Sequence, residues 1–285
     1  MATMRAIKTR RESIKSTQQI TNAMKLVATV KLQKSKSRAE NTKPYFEHMY
    51  RTISSILART VNTDHPYIVG NDSRTKAIIA VSSNRGLAGG YNSNIVKLVM
   101  GSSIDTENDI IYAVGGKGRD AFIRKGVKHV IDYSDCIENP VYQDAKVLCD
   151  ELLKAYNDGA IGEIYLVYTS FVNTVVHEPA LMRLLPVDMD ALNEDVELDN
   201  IPMNYEPDET QALGFLIPNY ITSMIYGAFN EAVASENGAR MQAMDSATNN
   251  AEEMIGKLTV QYNRARQGAI TQELTEIIAG AGAIE

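Results

Sequence analysis

The fold is decided between Met244 and Ala265, which read M-D-S-A-T-N-N-A-E-E-M-I-G-K-L-T-V-Q-Y-N-R-A. Apolar and small residues recur there every three or four positions, and this spacing averages to a 3.5-residue repeat. No proline follows Pro218, so the residue that most reliably breaks a helix is missing from the rest of the chain. The stretch is therefore typical of a coiled-coil helix. Its repeat positions are Met244, Ala247, Ala251, Met254, Leu258, Tyr262 and Ala265.

The N-terminal end of the chain carries a similar helical pattern, which predicts an N-terminal coiled-coil helix over residues 1–60. Pro44 lies inside this range and predicts a kink or a short break. Because both helices flank one middle segment, we expect them to run antiparallel. The expected seam consists of Ile7, Ile14, Thr17, Thr21, Met24 and Ala28, with Ile20 and Val27 beside it.

The middle of the chain, residues 61–187, alternates short apolar runs with helical stretches. This order predicts a central α/β domain, Rossmann-like, with a mostly parallel sheet whose faces are covered. The last two strands are close enough in sequence to form an antiparallel hairpin at the sheet edge. The predicted strands are 76–82, 109–114, 127–132, 163–171 and 175–187, and the predicted helices are 93–100, 119–125 and 141–156.

An acidic, proline-bearing stretch over residues 188–208 predicts a linker, and a C-terminal coiled-coil helix follows over residues 209–285. Asp208 has a side chain suited to cap that helix. With about 70 residues against about 55, the last helix is longer than the first by roughly 22 Å at 1.5 Å per residue.

The length difference leaves the C-terminal end of the last helix without a partner in its own chain. This end is apolar, and an exposed apolar stripe marks an interface. A frayed terminus is the alternative reading. We expect other subunits to surround the apolar positions, which are Ala265, Ala269, Ile270, Leu274, Ile277, Ile278 and Ile284.

Charge is distributed unevenly along the chain. Residues 1–43 hold eleven Lys or Arg against Glu12 and Glu40, so they carry +9 and the remainder carries −15 of the net −6. A basic helix suits nucleic acid or an acidic protein surface. The stretch has no aromatic residue and no zinc-finger spacing, which favours protein as the partner.

Two glycine-bearing loops follow predicted strands, where nucleotide-binding folds hold phosphates. They are S-S-N-R-G-L-A-G-G-Y-N from Ser82 to Asn92 and G-G-K-G from Gly115 to Gly118. Neither fits G-x-x-x-x-G-K-[ST] or G-x-G-x-x-G, so nucleotide binding is a weak alternative. We therefore predict no cofactor.

The residues suited to catalysis or metal binding are scattered. His48, His65, His129 and His177 have no metal-ligand spacing, and Cys136 and Cys149 do not form a C-x-x-C pair. The cysteines are expected to be free thiols. The sequence predicts no catalytic site and no metal site. The sequence has no run of about 20 apolar residues, so we expect no membrane span. It also has no apolar stretch at the N-terminus, so we expect no signal peptide.

Three long strings closely resemble the gamma subunit of F-type ATP synthase, as found in bacteria. They are I-T-N-A-M-K-L-V-A-T-V-K-L around Met24, S-E-N-G-A-R-M-Q-A-M-D-S-A-T-N-N-A from Ser235, and Y-N-R-A-R-Q-G-A-I-T-Q-E-L-T-E-I from Tyr262. The loop after the first strand resembles the family's S-D-[RK]-G-L-C-G-G-x-N pattern, with Asn84 in place of Asp and Ala88 in place of Cys.

The resemblance implies a non-catalytic rotor shaft that transmits torque between the membrane ring and the catalytic ring. Its implied partners are the alpha and beta subunits, the epsilon subunit and the membrane c-ring, with no nucleic acid and no direct membrane insertion. The implied location is the cytoplasmic face of the bacterial membrane. The resemblance also implies three pairs of partner contacts. Arg266 and Gln267 would contact the catch loop of the beta subunit, and Met24 and Lys25 would lie near the lower rim of beta. Tyr205 and Glu206 would lie at the foot, which is the part of the chain that meets the membrane ring.

Two readings from other classes stay open at this point. The first is a nucleotide-dependent α/β enzyme with helical arms, which would bind ATP or NAD. The second is a helical scaffold or nucleic-acid-binding arm, whose binding to DNA would weaken as salt increases.

Overall fold

The computed structural model describes residues 4–57, 65–187 and 209–282. The chain divides into two compact units, which are described separately. The helix pair comprises Met1–Ala28 and Arg240–Glu285, and the sheet unit comprises Thr29–Ala239. The predicted linker over 188–208 lies outside the described residues, as do Asp208, Tyr205 and Glu206.

The elements follow the predicted order of a long helix, an alternating α/β segment and a second long helix. The helices are α1 (Met4–Leu57), α2 (Pro66–Val69), α3 (Tyr91–Gly101), α4 (Gly116–Arg124), α5 (Tyr142–Asn157) and α6 (Glu209–Gly282), with a 3₁₀ turn at Ser134–Ile137. The strands are β1 (Lys76–Val81), β2 (Ile110–Val114), β3 (His129–Asp132), β4 (Glu163–Phe171) and β5 (His177–Leu185).

The five strands form one mixed sheet in the order β3-β2-β1-β4-β5. The β1–β2, β1–β4 and β2–β3 pairs are parallel, and β4 pairs with β5 in antiparallel orientation. The predicted α/β class and the antiparallel hairpin at the edge are thus confirmed. β4 spans the predicted residues, whereas β3 and β5 are shorter than predicted.

Both faces of the sheet are covered, which is why the β1 sequence K-A-I-I-A-V is apolar at nearly every position. Ala77, Ile79 and Val81 face a core shared with α5 and α6. Ile78 and Ala80 face the opposite core, which they share with α3 and α4.

The first part of α6 belongs to the core of the sheet unit. Residues spaced four apart along it, from Leu213 through Ile217, Ile221 and Ile225 to Phe229, are at most 1% exposed. This spacing places them on one face of the helix. By length and composition alone, α6 contains a window apolar enough to cross a membrane, and half of this window is buried inside the protein. A core helix has the same composition as this window.

Three local features differ from the predictions. α1 is one continuous helix with Pro44 inside it, so the alternative of a short break is wrong. α4 begins at Gly116, three residues before its predicted start, because its first backbone N–H groups find acceptors in the loop after β1. The short helix α2 was not predicted; the ring of His65 accepts a hydrogen bond from the Tyr67 N–H at its start.

Within the helix pair, two predicted seam residues are exposed, and so are Ile20 and Val27, the residues predicted beside the seam. Thr17 is exposed, and the half-buried residue of that turn is Gln18. Met254 is 49% exposed, and its neighbour Ile255 is half-buried instead. The face of α1 that is turned inward repeats every three or four residues as predicted, and it comprises Ile7, Arg11, Ile14, Gln18, Thr21, Met24, Lys25 and Ala28.

Candidate functional site

Polar side chains of α1 and α6 contact each other within the helix pair. The hydroxyl oxygens of Thr21 and Thr248 lie 2.8 Å apart. One turn along α1, the Lys25 ammonium donates to the Asp245 carboxylate at 2.6 Å.

Near the start of α1, the Arg11 guanidinium lies over the Tyr262 ring, 5.3 Å from its centroid. This cation–π contact brings the first turns of α1 against a later part of α6. From Lys25 through Thr21 to Arg11 the residue number on α1 decreases, while the number of the partner on α6 increases. The two helices are therefore antiparallel, as predicted.

This register leaves the end of α6 beyond the start of α1. If Arg11 lies opposite Tyr262, then Met4, seven residues earlier, lies opposite Ala269. Ala269 is half-buried, and the residues from Ile270 to Ala279 are all exposed. The side chains of Leu274, Ile277 and Ile278 are 55%, 68% and 71% exposed. The expectation of an exposed apolar end is confirmed for Ile270, Leu274, Ile277 and Ile278. It is wrong for Ala265 and Ala269, which are half-buried, and Ile284 lies outside the described residues.

The residues predicted to contact partners fall into two groups on the helix pair. Met24 and Lys25 are half-buried at the seam, and Arg266 and Gln267 are exposed on α6. Lys25 pairs with Asp245, which lies 21 residues before Arg266, so the groups are about 30 Å apart along the helix. The structure therefore does not bring them into a single site.

Sequence reasoning missed Asp245 as the partner of Lys25. The two residues are 220 positions apart, and only the register of the pair brings them together. Arg11 was missed for the same reason, since it was read as part of the basic surface. The sequence does indicate that Arg11 faces α6, because Arg11 lies four residues after Ile7 and three before Ile14 and so shares their face of the helix.

The two glycine-bearing loops meet at the carboxyl ends of β1 and β2, where a phosphate site was a weak alternative. The Gly116 N–H donates to Asn84 Oδ1 at 2.8 Å, and the Gly118 N–H donates to Ser82 Oγ at 3.0 Å. The Lys117 N–H donates to the Ser83 carbonyl at 3.0 Å. These are the donors that a phosphate would use at a helix N-terminus. The chain itself supplies their acceptors, which argues against a nucleotide here.

Asn84 joins three segments because its amide has both a donor and an acceptor. While Oδ1 accepts from Gly116, Nδ2 donates to the Ser134 carbonyl at 2.9 Å. An ionised aspartate at this position would face that carbonyl without a proton to donate. The Asn in place of the usual Asp thus matches a contact to the 3₁₀ turn.

Burial shifts the pKa values of two cysteines and two histidines of the sheet unit toward the neutral forms. Burial raises the pKa of the Cys149 thiol to about 11, and it also raises the pKa of Cys136. Both thiols are free and both are held in the unreactive form. Burial lowers the pKa of His65 and of His177, which keeps their rings neutral. Among the described residues, no group of three or more His, Cys, Asp or Glu side chains is arranged to hold a metal ion.

An α/β unit together with an antiparallel pair of terminal helices is a fold found in solved ATP synthases. A chain of the Euglena gracilis mitochondrial ATP synthase, from a structure of its OSCP, F1 and c-ring, aligns with a TM-score of 0.72 at 22% identity over 99% of this chain and 94% of that one. A chain from the central stalk and c-ring of the Tetrahymena thermophila enzyme aligns with a TM-score of 0.58 at 23% identity, over 80% of this chain and 99% of that one. The fold thus defines the class: an α/β unit with two long terminal helices, as in these chains of solved ATP synthases.

Sequence comparison gives the family. The profile described as ATP synthase matches residues 3–284. The ATP synthase gamma chain of Lachnoclostridium phytofermentans is 59% identical, over the whole of both chains. A sodium-ion-specific ATP synthase gamma chain from Acetobacterium woodii is 40% identical over 98% of this chain and 97% of its own length. The chain belongs to the ATP synthase gamma chain family.

Proposed function

We propose that this non-catalytic gamma chain is the central rotor shaft of a bacterial F-type ATP synthase and transmits torque between the ion-driven membrane ring and the catalytic ring. The observation that carries the proposal is the exposed apolar end of α6. Burying a Leu or Ile side chain releases roughly 1.5–3 kcal/mol relative to leaving it in water. Leu274, Ile277 and Ile278 therefore favour enclosure by other subunits.

The composition of this end suits rotation inside a ring. Strong ion pairs with one wall would hold a shaft at one angle, whereas small apolar residues make nearly equivalent contacts at every angle. From Ile277 to Ala283 the sequence reads I-I-A-G-A-G-A, without a charge. This sequence suits a helix end that turns against surrounding subunits.

The shaft would act by differential contact and would itself perform no bond chemistry. A partner shifts a conformational equilibrium only as far as it interacts differently with the two states. Three equivalent catalytic sites around one asymmetric helix pair would each meet a different face of it, and rotation would exchange those faces. Rotation would thus be coupled to the conformations of the catalytic sites through the different side chains that α1 and α6 present around the axis of the pair.

The partners proposed for the shaft are the alpha and beta subunits at the helix pair, and the epsilon subunit and the c-ring at the foot. Arg266 and Gln267 are exposed and offer directional donors to acidic loop residues. Met24 and Lys25 lie farther along the pair as a second contact with beta, and Tyr205 and Glu206 remain predicted foot contacts. Assembly through these partners would hold the chain peripherally at the cytoplasmic face of the membrane.

The proposal is tested by co-expressing the chain with the alpha and beta subunits of the same organism and purifying the ring. Ile277→Asp places a charge in the enclosed end, where it has no partner, and a buried unpaired charge is strongly unfavourable. We expect the variant to lose ring assembly or ATPase turnover. Val175→Asp is the matched control, because Val175 is 70% exposed in the β4–β5 turn of the sheet unit.

Full ATPase turnover by an assembled Ile277→Asp complex would contradict the proposal. The alternative classes are tested on the same purified chain. Saturable binding of ATP or NAD would favour an enzyme, and salt-sensitive binding of DNA would favour a nucleic-acid arm.

A further inference from the structure

Many of the packed positions that α6 contributes to the helix pair are alanines, and alanines specify the alignment of the two helices weakly. Ala28 and Ala251 are buried, and Ala247 and Ala265 are half-buried. An alanine packs against the facing helix almost as well after one helix slides along the other, because it has no larger side chain to fill one particular gap. The alignment must therefore be fixed by residues other than these alanines.

Two adjacent polar contacts in the middle of the pair are suited to this task. A polar residue at a seam position is known to specify the register of a coiled coil, because a shifted register leaves it without its partner. The hydroxyl oxygens of Thr21 and Thr248 lie 2.8 Å apart, and Lys25 Nζ lies 2.6 Å from Asp245 Oδ1. On each helix the two residues are three or four positions apart, so both contacts lie on one face.

The threonine contact depends on both residues. A hydroxyl has one proton, so either Thr248 donates to Thr21 or the reverse. The hydroxyl that does not donate across the pair has an acceptor in its own helix, at Gln18 for Thr21 and at Met244 for Thr248. Loss of the cross-helix bond therefore orphans neither hydroxyl, and the contact adds selectivity with little effect on stability.

The ion pair between Lys25 and Asp245 likewise adds selectivity with little effect on stability. The Lys25 and Asp245 side chains are 37% and 46% exposed, and pairs this exposed contribute little to the free energy of folding. A slip of one turn, about 5.4 Å, would nevertheless carry Asp245 away from the 2.6 Å contact that Lys25 makes in this alignment. This contact also gives Lys25 a partner inside its own chain, in addition to the predicted contact with beta.

We propose that Thr21, Lys25, Asp245 and Thr248 form a register lock, a set of positioning residues that fixes the axial alignment of α1 and α6 in the helix pair. This inference rests on the proposed function only where it concerns torque. A shaft whose helices slid past each other would lose angular displacement between its ends. The alignment itself is a property of the chain and is measured without partners.

The experiment reads the register by disulfide formation in the full-length chain. Thr21 opposite Thr248 places Ala28 opposite Met241, seven residues away on each helix, and Ala28 is buried and Met241 half-buried. The neighbouring contact of Lys25 with Asp245 gives the same alignment to within one residue. The pair Ala28→Cys with Met241→Cys reports the native alignment. Ala28→Cys with Met244→Cys, or Met24→Cys with Met241→Cys, reports a slip of about one turn, or about 5.4 Å, in one direction or the other. A disulfide needs Cα atoms about 4.4–6.8 Å apart, so each pair is selective.

We expect the native pair to cross-link in the parent chain and the slipped pairs to form little product. Removing the lock with Asp245→Ala and Thr248→Val should raise the slipped product by about five-fold or more, the equivalent of about 1 kcal/mol in alignment preference. The matched control combines Thr17→Val with Glu252→Ala. Both of these residues are exposed, and Thr17 has the same type of bond to its own helix, at 3.1 Å from the Ser13 carbonyl. This control should leave the slipped product unchanged.

Rescue separates a positioning role from a general loss of structure. Exchanging the charges with Lys25→Asp and Asp245→Lys should restore native cross-linking, whereas either single reversal should not. The inference is overturned if the slipped product stays unchanged without the lock, or if the control raises it equally. Failure of the rotor proposal would be seen separately, as unchanged coupling between ATP hydrolysis and ion transport in an assembled complex whose cross-links show the slip.

Discussion

The sheet unit and the helix pair bury their residues to very different extents. β1 is apolar and nearly inaccessible along five of its six residues, and the first part of α6 adds a face of large side chains to the same core. In the helix pair the fully buried residues include Ala28, Met244 and Ala251, and the seam between them contains Arg11, Gln18 and Thr21. The sheet unit is stabilised by its own packing. The helix pair is aligned by polar contacts and leaves apolar surface for others to cover.

The largest expected difference between the units concerns two phenylalanines on one helix. Phe229 is fully buried in the core of the sheet unit, and Phe215 is 71% exposed. Phe229→Ala should lower the free energy of unfolding by about 3–5 kcal/mol, because it leaves a cavity. Urea denaturation followed by tyrosine fluorescence measures the loss.

Phe215→Ala is the control on the same helix, and its effect should stay within about 0.5 kcal/mol. Equal effects of the two substitutions would mean that the sheet unit does not depend on this core.

A smaller effect is expected where the helix pair is most closely packed. Ala28 is 1% exposed, so Ala28→Leu forces a larger side chain between the helices and should cost about 1–3 kcal/mol. Ala23→Leu, on the exposed side of α1, is the control. Amide hydrogen exchange in residues 4–28 and 240–265 reports the change, and a stabilising effect of Ala28→Leu would show that the seam has unused space.

The smallest expected effect is a pH dependence confined to the sheet unit. Burial lowers the pKa of His177 below 6.5, and its ring packs against Phe171 with the centroids 5.7 Å apart. Below pH 6.5, His177 binds a proton in the unfolded chain but stays neutral in the folded chain. The free energy of unfolding should therefore fall as the pH decreases through this value. The decline should continue until the lower, folded-state pKa is passed.

His177→Gln should make this decline shallower without abolishing it, because burial also lowers the pKa of His65. Denaturation midpoints between pH 5 and 8 test the effect, with His129→Gln at an exposed position as the control. A decline that is unchanged in His177→Gln would exclude His177 as its source.

Most of the fold could be predicted from local sequence pattern. The run from Glu163 to Phe171 forms β4 as predicted, because a run of β-branched and aromatic residues is consistent with a strand that is largely buried. The start of α4 at Gly116 could not be predicted, since glycine is a poor helix former and the cause is a contact to Ser82 and Asn84, more than thirty residues away.

The candidate site was predicted less completely than the fold, for a related reason. The repeat marks one face of each helix only to within one residue, so it predicts Thr17 and Met254 where their neighbours Gln18 and Ile255 are packed. The partner of Lys25 depends on the register between the two helices, which neither helical pattern contains. The exposed end of α6 was predictable because it needs only the two helix lengths.

The most direct test of the central claim is amide hydrogen exchange across residues 270–279, measured on the full-length chain alone and within the assembled catalytic ring. A helix end without packing partners opens readily, so the account predicts fast exchange in the isolated chain and strong protection in the ring. Protection that is already complete in the isolated chain, or exchange that stays fast in the assembled ring, would contradict the claim that foreign subunits enclose this end.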